Sequence, residues 1–209
     1  MKLFKKVLPL YILVFITLLT SAMGGVKYKY TPIMIDDGIN IMVPYASVSA
    51  STYTPPANSL GHTTITTTKG KKIRVDKIPD GLVFEGYVGK IVLLEIYAST
   101  CPHCIDAIPA YNRVKAKYPK DVYVITIESS GLLNNAELQQ FVNQNNIQYA
   151  TVARENRGSM FSFIQSLTTY YFQAVPYLMI LDRDGDIVYD KILADFPEST
   201  INGIIQGLL

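Results

Sequence analysis

The only two cysteines of this 209-residue chain stand together as Cys101-Pro102-His103-Cys104, directly after an apolar run. A disulfide across so short a loop restrains the unfolded chain little, because that stabilisation grows with loop length. The pair therefore reads as chemistry and not as a staple. At this spacing on the first turn of a helix, two sulfurs come close enough to make and break a disulfide. A helix starting at Cys101 sets that thiol among free backbone N–H groups at the positive end of the helix dipole, which favours the thiolate. Cys101 is then the nucleophile. His103, as a cation or as a donor to sulfur, stabilises the reduced form relative to the disulfide. Cys104, one turn further on, is the resolving thiol.

The surrounding elements are legible from their patterns. Lys90 to Ala98 is nearly all apolar, as a parallel strand buried on both faces is, and it ends at the cysteines. Helix is expected from Cys101 to about Tyr118, with Ala107, Tyr111, Val114 and Tyr118 on one face and Pro119 as its stop. Strand Val122 to Ile127, helix Asn134 to Asn145, strand Gln148 to Val152 and helix Ser159 to Tyr171 then alternate, which implies parallel strands with helices on their faces. After Pro176, Tyr177 to Leu181 and Ile187 to Ile192 read as hairpin partners around Asp182–Asp186, and a last helix runs from about Pro197 to Leu208. Ile65 to Val75 reads as a short hairpin, with Lys69 to Lys72 at its turn. A site at the carboxyl end of a central strand is where open α/β sheets bind ligands.

Residues 1 to 23 have a different character: Lys2, Lys5 and Lys6, an apolar stretch from Val7 to about Thr20, then Ser21 and Ala22, with the small residues Gly24 and Gly25 just after them. That order is the pattern of a secretory signal. An uncleaved N-terminal anchor is the rival, although the apolar stretch falls short of the roughly 20 residues that span a bilayer. No cysteine follows it, so a lipoprotein anchor is not expected. Residues 24 to 62, rich in Tyr, Thr, Ser and Pro with little periodicity, read as an extended leader or linker, and His62 as a loop residue. Composition, at 49% hydrophobic and 17% charged, suits one globular domain over residues 63 to 209. Residues 1 to 22 carry three of the 19 basic side chains and no acid, leaving 16 basic against 17 acidic, or −1. Without a long basic run or any tryptophan, a nucleic-acid partner is not expected.

The stretch Gly89 to Pro109, GKIVLLEIYASTCPHCIDAIP, resembles the strand, active site and helix of the thioredoxin superfamily, and within it the TlpA/ResA-type exported thiol-disulfide oxidoreductases. Tyr171 to Pro176, with the strand and Asp182-Arg183-Asp184-Gly185 that follow, is similar to the segment carrying that superfamily's cis-proline. The resemblance covers about residues 65 to 209. It implies a thioredoxin-like α/β fold: a central mixed sheet with an inserted βα unit, flanked by helices. Thr100 replaces the family's usual Trp and Tyr177 its usual Thr, and both changes alter the substrate groove. The Cys-Pro-His-Cys tetrapeptide is that of the DsbA-type oxidases, whereas Pro109 and the βα insertion are not.

The resemblance assigns catalytic roles to Cys101, Cys104, His103, Glu95 and Pro176, and substrate contacts to Thr100, Pro102, Val175 and Tyr177. A cis Pro176 places the Val175 backbone opposite the cysteines, where it pairs with an extended substrate. Glu95 takes the position of the superfamily's buried acid, its pKa raised by an apolar setting so that it trades protons with Cys104. The expected activity is exchange of disulfides with protein thiols through the Cys101–Cys104 pair, with no other cofactor. The location is the periplasm or the outer face of the cytoplasmic membrane, with a membrane or periplasmic redox partner; the membrane itself is met only through an N-terminal anchor. A TlpA-like reductase leads, a DsbA-like oxidase is the alternative, and a copper- or zinc-binding metallochaperone using Cys101, Cys104 and His103 comes third. A peroxiredoxin does not fit, because Ala98 stands three before Cys101 where that family has Thr.

Overall fold

The computed structural model describes residues 28–34, 40–46, 53–168, 174–194 and 196–209. The segment expected as a signal or anchor lies outside the described residues, as do 169–171 of the helix expected over Ser159 to Tyr171. Among the described residues no helix is long and apolar enough to cross a membrane. The chain divides into two compact units, residues 1–52 and 53–209.

In the first unit, β1 (Tyr28–Met34) and β2 (Asn40–Ala46) pair antiparallel, from Tyr28 opposite Ala46 to Met34 opposite Asn40. An extended leader was expected there. The signal for a hairpin is Asp37-Gly38 between two runs rich in Tyr, Ile and Val. Pro32 and Pro44 obscure it, yet in a two-stranded sheet each strand has a free edge that needs no N–H donor.

The second unit opens with an antiparallel sheet of β3 (Gly61–Thr66), β4 (Lys72–Ile78) and β5 (Gly81–Phe84). Ile65 pairs with Ile73 and Val75 with Phe84. The predicted hairpin is present but longer, His62 lies in β3 opposite Asp76 and not in a loop, and β5 is an addition. Four consecutive buried residues in β5 carry no alternation that would mark them as a strand.

The central sheet comprises β6 (Ile91–Tyr97), β7 (Val122–Glu128), β8 (Ala150–Thr151), β9 (Tyr177–Leu181) and β10 (Ile187–Ile192), in the order β10-β9-β6-β7-β8. Strands β6, β7 and β8 run parallel, and β9 and β10 are antiparallel to their neighbours. The helices are α1 (Pro102–Lys117), α2 (Asn135–Gln144), α3 (Arg157–Gln165) and α4 (Glu198–Leu208). Helix α2 begins at a capping box in which Asn134 accepts from Glu137 N–H and Glu137 from Asn134 N–H.

All seven residues of β6 are buried, because this central strand is covered on both sides. Ile91 and Leu93 face Ala107, Ile108, Tyr111 and Val114 of α1 and Ile201 and Ile205 of α4. Val92, Leu94 and Ile96 face Ile65, Val75 and Phe84 of the three-stranded sheet and Met160 and Ile164 of α3. Isolated bridges Thr67–Val152 and Gly81–Asp186 tie the two sheets together. At the second bridge a Cβ on Gly81 would stand 1.8 Å from the Gly185 carbonyl oxygen, so this close approach of two backbones requires glycine.

Candidate active site

Cys101 is the N-cap of α1 in extended geometry, and its Sγ accepts the Cys104 backbone N–H at 3.3 Å. Pro102 occupies the first helical position, where its missing N–H costs nothing. The two cysteines form a disulfide with a Cα–Cα distance of 5.3 Å. Cys101 is half-buried and Cys104 is buried, so only the first sulfur meets solvent. Thr100, Pro102 and His103 are exposed around it.

Across from the disulfide, Cys101 Sγ lies 3.7 Å from the Val175 carbonyl oxygen, and the Val175–Pro176 peptide is cis. The Pro176 carbonyl is held from behind by Leu193 N–H at 2.8 Å. Glu95 sits on the α1 side of β6, continuing the row of Ile91 and Leu93. Cys104, Ile108 and Tyr111 share one face of α1, so strand and helix place the acid and the second cysteine in the same interface. Glu95 is 1% exposed, its Oε1 has no hydrogen-bond partner among the described residues, and burial pushes its carboxyl up to about 8. Burial also raises the Tyr111 hydroxyl well above its ordinary value, with the charge of Glu95 adding to it.

Tyr177 is the residue that departs from expectation. It was expected in the substrate groove, but its side chain is buried on the opposite side of the sheet, among Met160, Ile164 and Ile96. Its hydroxyl shares its one proton between Thr168 Oγ1 at 3.1 Å and Asp190 Oδ2 at 3.2 Å. The reason is strand alternation: Pro176 starts the turn into β9, and the next side chain points to the other face.

Sequence reasoning missed Glu128, at the end of β7. This buried carboxylate accepts from Ser99 N–H and Oγ, from Ser130 N–H and Oγ, and from Gly131 N–H. Its only signal was an acid closing an apolar strand before Ser-Ser-Gly. Among the described residues no group of three or more His, Cys, Asp or Glu side chains converges as a metal site would.

A β-strand, a helix capped by the first cysteine of a C-x-x-C pair and a cis-proline turn facing that cysteine form one constellation. The fold is thioredoxin-like. The pneumococcal exposed lipoprotein thioredoxin Etrx1 of Streptococcus pneumoniae superposes with a TM-score of 0.55 at 18% identity, over 71% of this chain and all of that one (100%). A secreted Mycobacterium tuberculosis disulfide oxidoreductase homologous to E. coli DsbE matches with a TM-score of 0.51 at 20% identity, over 70% of this chain and 96% of the other. StoA of Bacillus subtilis gives 0.52 at 16% identity, over 70% and 97%. No protein-family model and no curated protein sequence matches the chain. The thioredoxin-like body accounts for the mixed sheet and for the position of the disulfide just beyond the carboxyl end of β6.

Proposed function

We propose that the chain is an exported thiol-disulfide oxidoreductase that exchanges disulfides with protein substrates through Cys101 and Cys104, running in the reducing direction. The observation that carries this reading is the pairing of a half-exposed Cys101 at a helix N-terminus with a buried Cys104, facing the Val175 backbone. In the reduced protein, the Cys101 thiolate attacks one sulfur of a substrate disulfide: a Cys101–substrate bond forms and the other substrate sulfur leaves as thiolate. Cys104 gives its proton to Glu95 in its ionised form, which becomes well populated only as pH approaches about 8, and attacks Cys101 Sγ. The Cys101–Cys104 disulfide forms, the second substrate sulfur leaves, and two electrons have passed to the substrate. A dithiol partner outside the cytoplasm reverses the change on the enzyme.

Val175 supplies the backbone edge along which an extended substrate segment pairs, and Pro176 keeps that edge opposite Cys101. Thr100 and Pro102 border the sulfur, and the small Thr100 leaves the groove more open than a Trp would. The secreted and exposed descriptions of two structural neighbours, with the signal-like start of this sequence, support work outside the cytoplasm.

A disulfide-donating oxidase is the second reading, favoured by one feature: His103 stands exposed in the first turn of α1, placed to stabilise a Cys101 thiolate. The reduction potential of the pair decides between them. Residues 53–209, together with the full chain, are equilibrated in glutathione or dithiothreitol buffers and free thiols are counted. A value near about −270 mV assigns a reductase and one near about −120 mV an oxidase. A pair that does not cycle at all removes both readings.

A further inference from the structure

We propose that Glu128 is the positioning residue of the active-site turn, and that its fixed negative charge holds back the Cys101 thiolate and keeps the couple reducing. The proposal rests on the oxidoreductase reading and adds what tunes it. Glu128 pairs with Tyr97 at the carboxyl ends of β7 and β6, the point where β6 gives way to the cysteine turn. From there its two oxygens collect five donors. Oε1 takes Ser99 N–H and Oγ (both 3.2 Å), Ser130 N–H (3.1 Å) and Ser130 Oγ, while Oε2 takes Gly131 N–H (3.0 Å).

Ser99 is two residues before Cys101, and the turn closes with Cys101 N–H donating to the Ala98 carbonyl at 3.0 Å. One carboxylate therefore clamps the approach to the nucleophile onto the loop after β7. That loop is fixed on its own account. Ser129 N–H and Oγ both donate to the Tyr97 carbonyl, at 2.7 and 2.9 Å, and Arg157 Nη1 donates to the Ser129 carbonyl at 3.1 Å. Gly131 has φ +70°, and a Cβ there would stand 2.1 Å from that same guanidinium.

Glu128 is 5% exposed, so its charge is little screened by solvent. Burial alone would raise its carboxyl, but the Ser130, Gly131 and Ser99 hydrogen bonds outweigh burial and hold it below the ordinary glutamate range, ionised at neutral pH. A fixed negative charge beside the turn opposes a second one on Cys101. The helix dipole and His103 favour the thiolate, and Glu128 is their counterweight. The other ionisable groups around it are Arg157 behind Ser129, Tyr97 across the strand pair and Glu95 two residues back on β6.

Glu128→Gln keeps the shape and one acceptor oxygen, enough for the four donors that Oε1 takes, but removes the charge and the acceptor for Gly131 N–H; Glu128→Ala removes both shape and charge. Iodoacetamide alkylation of the reduced proteins across pH reports the Cys101 thiolate directly, and glutathione equilibration reports the potential. In Glu128→Gln the alkylation midpoint is expected to fall by about half a pH unit, with the equilibrium moving roughly threefold toward the dithiol form. Glu128→Ala should also slow reduction of a protein disulfide, with Glu128→Gln restoring part of that rate. A midpoint in Glu128→Gln that stays or rises overturns the proposal, even where thermal stability has dropped, because stability alone reports only packing. Where Glu128→Ala does not fold, the Gln variant decides. Failure of the wild-type pair to cycle in the same buffers counts against the oxidoreductase reading itself, while the alkylation midpoints still test Glu128.

Discussion

The sulfur of Cys101 lies 3.7 Å from the carbonyl oxygen of Val175, 74 residues further along the chain. This contact joins the start of α1 to the turn into β9 and leaves Cys104 behind it, buried. A partner sulfur can approach only Cys101. Cys104→Ala is therefore expected to accumulate a mixed disulfide with substrate, since nothing resolves it, whereas Cys101→Ala accumulates none. Non-reducing electrophoresis and mass spectrometry of trapped adducts read this; equal trapping by both variants would contradict the assignment of nucleophile and resolving thiol.

Tyr177 follows the cis-proline and ties three elements together, its hydroxyl proton shared between Thr168 Oγ1 and Asp190 Oδ2 while Thr168 Oγ1 reaches the same carboxylate oxygen at 3.1 Å. Tyr177→Phe removes this shared hydroxyl interaction inside the fold and is expected to cost about 1–2 kcal/mol. Urea unfolding measures the loss. Because the ring stays and the hydroxyl is far from the sulfur's face of the sheet, the alkylation rate of Cys101 should be unchanged. A changed rate would return Tyr177 to the substrate groove.

Much of the site was legible because its signals are local. C-x-x-C after an apolar strand needs no tertiary knowledge, and the alternation of β6, α1, β7, α2 and β9 follows from period and breakers. Glu95 stood out as one acid in a run of apolar residues. What escaped depends on contacts between distant segments: Glu128 draws its donors from Ser99, 29 residues earlier, as well as from its own loop. Likewise Tyr177 was assigned by its neighbour Pro176, when the pleat of β9 decides which face it takes. In β1 and β2 the prolines masked an antiparallel pairing for which the Asp-Gly dipeptide between the two runs is the sequence signal.

Asp76 is fully buried and receives Arg74 Nε and Nη2 at 2.8 Å each, with Tyr53 and Ser59 hydroxyls at 3.0 Å. The Arg74 hydrogen bonds, with those of Ser59 and Tyr53, lower its carboxyl despite burial; burial, and then Asp76 itself, push the Tyr53 hydroxyl up to about 12. Asp76→Ala strands these donors and is expected to cost about 3 kcal/mol. The sign with pH follows from the lowered native value. The stabilisation is present above the unfolded value of 3.8 and is lost as pH falls through the native one, so wild type and Asp76→Asn should converge in strong acid. Denaturation midpoints at pH 6 and pH 2 check it.

Glu95 predicts the opposite slope. Its native carboxyl is raised from 4.5 to about 8 by burial alone, so folding favours the protonated form. Below about 4.5 both folded and unfolded chains hold the proton, and Glu95 costs nothing. Between 4.5 and 8 the unfolded chain gives the proton up while the native one keeps it, and stability falls as pH rises until the native group ionises too. Glu95→Gln, neutral throughout, should match the oxidised wild type near pH 4 and exceed its stability by a few kcal/mol near pH 9. The same substitution removes the proton acceptor for Cys104, so resolution of the mixed disulfide should slow about tenfold or more. Both readouts are needed. A Gln variant that gains stability at high pH without slowing resolution would leave Glu95 a buried acid with no part in the exchange, and Cys104 would have to lose its proton to water.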